Sequence, residues 1–98
     1  MKLEEALQAL RKAEAELRAK GVIHAGIFGS VARGEQRTDS DIDIIIDFDP
    51  AAPITVFDYV GVRGDIADLF GHPVDVIDRR GLKPELRQPV SHDLVYAF

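Results

Sequence analysis

Ninety-eight residues, 46% of them hydrophobic and 30% charged, suffice for one small core and match ordinary globular usage, which excludes a disordered or collagen-like chain. The expectation is a single domain over residues 1–98 with no room for a second one to hold a substrate. The absence of cysteine excludes a disulfide framework, a thiolate zinc site and a cysteine nucleophile, and points to a reducing, cytoplasmic setting. A net charge of −5 opposes stable nucleic-acid binding and attraction to anionic lipid. No apolar run reaches the roughly 20 residues that span a bilayer, and Met1 to Glu5 lack the apolar stretch of a signal peptide.

From Leu3 to Lys20 the apolar residues Leu3, Ala6, Leu7, Leu10, Ala13 and Leu17 recur at helical spacing, with Glu4 and Glu5 early and Arg18 and Lys20 late, and Gly21 closes the predicted helix. Glu14 with Arg18 and Glu16 with Lys20 read as solvent-side i,i+4 pairs. Val22 to Phe28 is too short for a core helix and reads as a buried strand ending at Gly29, followed by a short polar helix from Ser30 to about Gly34. Thr38, Asp39 and Ser40 form a turn-rich connection.

Asp41 to Asp49 then alternates, with Ile42, Ile44, Ile46 and Phe48 on one side and Asp41, Asp43, Ile45, Asp47 and Asp49 on the other, the clearest strand in the chain. Thr55 and Asp58 form a capping box before a helix that reaches Phe70, weakened by Gly61 and Gly64 and stopped by Gly71. Phe57 and Tyr59 on this helix read as core rather than as base-stacking residues. Val74 to Ile77 is a third strand. Pro84 opens a last helix that Pro89 is expected to keep short, and Leu94 to Phe98 is either a closing strand or a docking tail.

Two carboxylates two residues apart on a strand share a face, with Cα atoms about 6.5 Å apart, so Asp41 and Asp43 can share a hard cation. Without a ligand this arrangement is costly, because like charges repel and the flanking isoleucines desolvate them. Asp75 offers a third strand acid. Asp78 points with Val74 and Val76 instead, which favours Asp75 for the third position. Gly29 and Ser30 sit where a strand becomes a helix, with backbone N–H groups able to face an anion, and Arg33 lies one turn later as a cation for phosphate.

Asp47 and Asp49 read as strand-end solvation, and Arg37 is balanced between surface and site. His24, His72 and His92 are too scattered for a metal site or a triad. A calcium loop starting at Asp39 fails, because Ile44 and Pro50 stand where the turn glycine and bidentate glutamate belong. Gly-Ser alone is an ordinary turn and Asp-x-Asp alone an ordinary strand face. Their joint spacing has a chance frequency on the order of 1 in 10⁵ per start position.

The run Gly29-Ser30-Val31-Ala32-Arg33-Gly34-Glu35, followed by Ser40-Asp41-Ile42-Asp43-Ile44-Ile45-Ile46-Asp47, resembles the signature of the DNA polymerase β-like nucleotidyltransferase superfamily. Within it the chain is similar to the minimal nucleotidyltransferases, the MNT-type antitoxins, over nearly its whole length. The resemblance implies an α/β (α+β) fold, a small mixed sheet with helices packed on one side. It implies that Asp41 and Asp43 are the metal-binding pair, that Gly29 and Ser30 hold the nucleotide phosphates and that Asp75 activates an acceptor; the expected site is then ATP with Mg²⁺, Arg33 adding a cation for phosphate and Asp75 completing a second metal site. It also implies a partner, a HEPN-type ribonuclease toxin whose tyrosine receives AMP, in a homodimer or a hetero-oligomer with the toxin.

Two other readings stand beside it. A non-catalytic antitoxin would neutralise its partner by binding alone, and an aminoglycoside-type enzyme would modify a small molecule. The lack of a substrate domain argues against the second and leaves the acceptor to another molecule.

Overall fold

The computed structural model describes residues 1–35 and 41–98. The turn read over Thr38, Asp39 and Ser40 lies outside them, as does Arg37. Helices α1 (Leu3–Lys12) and α2 (Glu14–Ala19) lead into strand β1 (Val22–Phe28) and the single-turn helix α3 (Gly29–Ala32). Strand β2 (Ile42–Phe48), helix α4 (Val56–Leu69) and strand β3 (Val74–Asp78) follow. A 3₁₀ turn (Arg79–Gly81), helix α5 (Pro84–Asp93) and strand β4 (Val95–Tyr96) complete the order.

The four strands form one mixed sheet in the order β3-β2-β1-β4. β1 runs antiparallel to β2 and β4, and β2 runs parallel to β3. Ile42, Ile44 and Ile46 are at most 1% exposed and meet Leu7, Leu10, Leu17, Val62 and Ile66 from α1, α2 and α4. Each isoleucine buried this way stabilises the fold by roughly 1.5–3 kcal/mol. That is enough to fix the register of β2, since a slip of one residue would turn Asp43 and Asp47 into the core.

The expected mixed sheet is present, and α1, α2 and α4 cover one side of it. α5 is different. It lies over the opposite side, where Val90 joins Ile45 and Leu82 in a second, smaller apolar cluster bordered by Phe28, Ile77 and Leu94. The last segment is an internal strand: β4 pairs with β1 through Gly26 and Ile27, and the Ala97 N–H donates to the Ala25 carbonyl at 2.8 Å.

Three expectations need correction. The first helix is interrupted at Ala13, whose backbone leaves helical geometry at φ −95° and ψ 3° and tightens to an i→i−3 bond on the Leu10 carbonyl. Both sides of the break still present buried leucines, so the apolar spacing reads straight through it. Pro89 does not end the last helix, which continues to Asp93. Its ring removes one N–H on an exposed face, and Val90 beside it is 7% exposed, so packing holds the turn together.

Phe57 is not core. It is 87% exposed, whereas Tyr59 is half-buried and its hydroxyl donates to the Val76 carbonyl at 2.5 Å.

The capping box forms as expected: the Asp58 N–H donates to Thr55 Oγ1 at 3.3 Å, and the Thr55 N–H donates to Asp58 Oδ2 at 2.8 Å. The backbone and hydroxyl donors of Thr55 hold the Asp58 carboxyl below its ordinary range. Gly61 and Gly64 lie inside the helix that this cap starts, and a Cβ at either would meet nothing within 4 Å. Gly61→Ala and Gly64→Ala are each expected to stabilise the protein by about 0.5–1 kcal/mol. An unchanged or lower urea midpoint for either variant would contradict this open-helix geometry.

Candidate active site

The antiparallel pairing of β1 with β2 places Phe28 opposite Asp43, so the chain leaves the sheet at Gly29 directly beside that carboxylate. Gly29 has φ +74°, and a Cβ there would collide with Asp43 Oδ2. Any other residue would therefore be strained in backbone and would push the Asp43 carboxylate aside. α3 follows immediately, tied by Arg33 N–H to Gly29 C=O at 3.1 Å and Glu35 N–H to Ser30 C=O at 2.9 Å. Ser30 is half-buried at the start of this turn.

The parallel pairing of β2 with β3 places Asp75 alongside Asp43. The Ile42 N–H donates to the Pro73 carbonyl at 3.1 Å, which holds exposed Asp41 at the same end of the sheet. The consequence is electrostatic. Burial pushes the Asp43 carboxyl above its ordinary value, the charges of Asp75 and Asp41 push it further, and Arg33 partly opposes them.

The expected residues Gly29, Ser30, Arg33, Asp41, Asp43 and Asp75 thus come from three segments to one end of one sheet face. Among the described residues, no three His, Asp or Glu side chains form a ready-made metal-holding group.

The competing acids are otherwise engaged. Asp78 caps the 3₁₀ turn, accepting from the Arg80 N–H at 3.0 Å and from Arg80 Nη2 at 2.8 Å. Asp47 is more than strand-end solvation: it accepts from Arg79 Nε at 2.5 Å, and Arg79 Nη2 donates to the Tyr96 hydroxyl at 2.9 Å. Asp49 accepts from the Ala51 N–H at 2.8 Å inside a turn.

Sequence reasoning missed the partners of Arg33. Its Nη1 donates to Asp93 Oδ2 at 2.5 Å and its Nε to Glu35 Oε2 at 3.1 Å. Glu35 stands two residues away within the quoted motif, but Asp93 is 60 residues distant and no local pattern announces it.

Two outcomes follow from the raised proton affinity of Asp43. A carboxyl that titrates higher in the folded state than in the unfolded one lowers stability when charged. That cost disappears as pH falls through the folded value and below the ordinary aspartate value of about 3.9. Asp43→Asn, measured in chelator, is expected to raise the urea midpoint at pH 7 and to lose most of the gain at pH 3. Gly29→Ala is expected to cost about 1–3 kcal/mol from its backbone conformation, and a midpoint equal to wild type would remove the case for this cradle.

Comparison with known proteins agrees with this geometry. A family model for the nucleotidyltransferase domain matches residues 7–96. The protein adenylyltransferase MntA of Thermococcus cleftensis is 35% identical over 95 residues, covering 96% of this chain and 94% of its own. A solved structure assigned as a minimal nucleotidyltransferase superposes with a TM-score of 0.75 at 38% identity, covering 97% of this chain and 95% of that one.

The fold also matches a chain from the complex of tri-AMPylated Shewanella oneidensis HEPN toxin with MNT antitoxin. The TM-score is 0.64 at 20% identity, covering 94% of this chain and 71% of that one. With the family model spanning nearly all of the sequence and the paired acids of β2 and β3 beside a glycine cradle, the chain belongs to the nucleotidyltransferases, of the minimal MNT type.

Proposed function

We propose that this chain is the AMP-transferring antitoxin of a cytoplasmic toxin–antitoxin pair. It moves AMP from ATP to the hydroxyl of a tyrosine on a HEPN-type ribonuclease toxin, with Mg²⁺. The observation that carries the reading is the parallel register that sets Asp75 beside Asp43, because two carboxylates at one end of one sheet face can serve as a base and a cation ligand. The names of the relatives, a protein adenylyltransferase and an MNT antitoxin bound to an AMPylated HEPN toxin, support the donor and the partner.

The donor set fits a hard divalent cation, since it offers carboxylate oxygens whose mutual repulsion such a charge relieves, as the raised Asp43 carboxyl registers. Asp41 and Asp43 would hold Mg²⁺, with Asp75 contributing to a second ion. When bound, the metal supplies charge neutralisation at the phosphates. Gly29 and Ser30 offer backbone N–H groups to the triphosphate, and Arg33 adds a cation beside them. Asp75 accepts the proton of the incoming hydroxyl. The hydroxyl oxygen forms a bond to the α-phosphorus while the bond to the bridging oxygen of pyrophosphate breaks, leaving AMP on the acceptor and releasing pyrophosphate.

The test is α-labelled ATP with Mg²⁺, given to the chain alone and with the HEPN-type protein encoded beside it, followed by intact mass of both. AMP on the partner is expected, and none with Asp41→Asn/Asp43→Asn. Asp75→Asn is expected to lower kcat at least about 100-fold with little change in KM for ATP. A tight complex that silences the partner with no adduct would replace this reading with the occluding antitoxin.

A further inference from the structure

β3 is the edge strand of the sheet, and among the described residues no strand pairs with its outer side. Its inner side is fixed by the Pro73 carbonyl, which accepts from Ile42 of β2. Main-chain direction alternates along a strand, so the N–H and C=O groups of Val74 and Val76 point outward. The Tyr59 hydroxyl shows this directly by donating to the outward Val76 carbonyl.

A cleft of about 470 Å³ opens along this edge. Val76 and Ile77, which face opposite sides of the sheet, both line it, so it straddles the edge rather than lying on one face. Asp75 and Val56 both line it. Val56 is 75% exposed and stands next to Phe57 on the first turn of α4, an apolar surface that no described residue covers.

We infer that this edge is where the acceptor polypeptide docks, as an extended segment that adds a strand to β3 and carries its hydroxyl to Asp75. The inference rests on the transferase reading above and deepens it. Hydrogen-bond chemistry selects the occupant: Tyr59 already satisfies the Val76 carbonyl, and the outward groups of Val74 and the Val76 N–H are the ones another extended backbone pairs with, while apolar pockets beside them take alternate side chains.

Charge narrows the choice further. Arg80 in the same cleft is neutralised by Asp78, so Asp75 is left with Asp41 and Asp43 as the net local charge. The segment is therefore neutral or basic. A second copy of this chain, at −5, or a nucleic acid would be repelled.

The test is amide hydrogen exchange on the full chain mixed with the HEPN-type partner and a non-hydrolysable ATP analogue, beside transfer kinetics. Slowed exchange at Val74 and Val76 in the complex is expected, at least tenfold. Val56→Lys is expected to raise KM for the acceptor at least tenfold while kcat and KM for ATP stay as in wild type, and Val56→Ile should restore it. Transfer with unprotected edge amides, or with an unchanged acceptor KM in Val56→Lys, overturns the edge docking and leaves the transferase intact. Protection without transfer supports the docking and overturns the transferase reading. Failure of the two chains to bind overturns the docking.

Discussion

On the Asp43 carboxylate, burial and two like charges act together, and the strands on both sides of it are arranged around that conflict. A slip of β2 by one residue would offer that charge no relief. The slip is blocked because it would expose Ile42, Ile44 and Ile46, each buried at a gain of roughly 1.5–3 kcal/mol, and turn Asp43 and Asp47 inward. The apolar face thus holds the acidic face in an unfavourable place. The same register sets Phe28 opposite Asp43 and Asp75 alongside it, so the glycine cradle and the third acid are consequences of one strand's alternation.

The two sides of the sheet divide the work. α1, α2 and α4 bury the isoleucine side. On the other, α5 and the small cluster around Ile45 and Val90 occupy the middle. Acids crowd one end of that side, and the Asp47–Arg79–Tyr96 network closes the other. The bond between Arg33 and Asp93 fastens α5 to the helix that follows the cradle. Part-exposed ion pairs of this kind stabilise by about 0–1 kcal/mol, so the effect of this one is chiefly on position: it holds the Arg33 guanidinium at the end of α5.

What the sequence made legible was whatever its near neighbours determine. β1, β2, the Thr55 and Asp58 cap and the proline at the start of α5 are set by alternation, run length or local hydrogen bonding, and each stands where the pattern put it. The break at Ala13 was invisible because the leucines on both sides keep the same spacing. Pro89 inside α5 was unreadable because Val90 holds that turn through a contact with the far side of the sheet. Phe57 misled because an aromatic residue beside a buried helix face carries no local sign that it points away.

At the candidate site, the placement of the acids and the glycine at one end of the sheet was readable from spacing, since a strand fixes which residues share a face. The second reason for Gly29, its contact with Asp43, needed the pairing of two strands.

On the proposed reading, the charge balance at this end of the sheet also decides how a nucleotide can enter. A triphosphate brings several negative charges to Asp41, Asp43 and Asp75, and a like pair at about 4 Å costs about 1 kcal/mol in water and about 4 kcal/mol near a protein surface. Arg33 is the cation whose charge registers at Asp43, and it is already bonded to Glu35 and Asp93. The two bonds differ in accessibility: the Glu35 side chain is 67% exposed and that of Asp93 only 15%. An exposed pair of this kind is worth little, so exchanging Glu35 for a phosphate oxygen costs Arg33 little, while Asp93 keeps the guanidinium aimed. One arginine cannot offset three acids and a triphosphate, so on the proposed reading the divalent cation serves nucleotide entry as well as the chemistry.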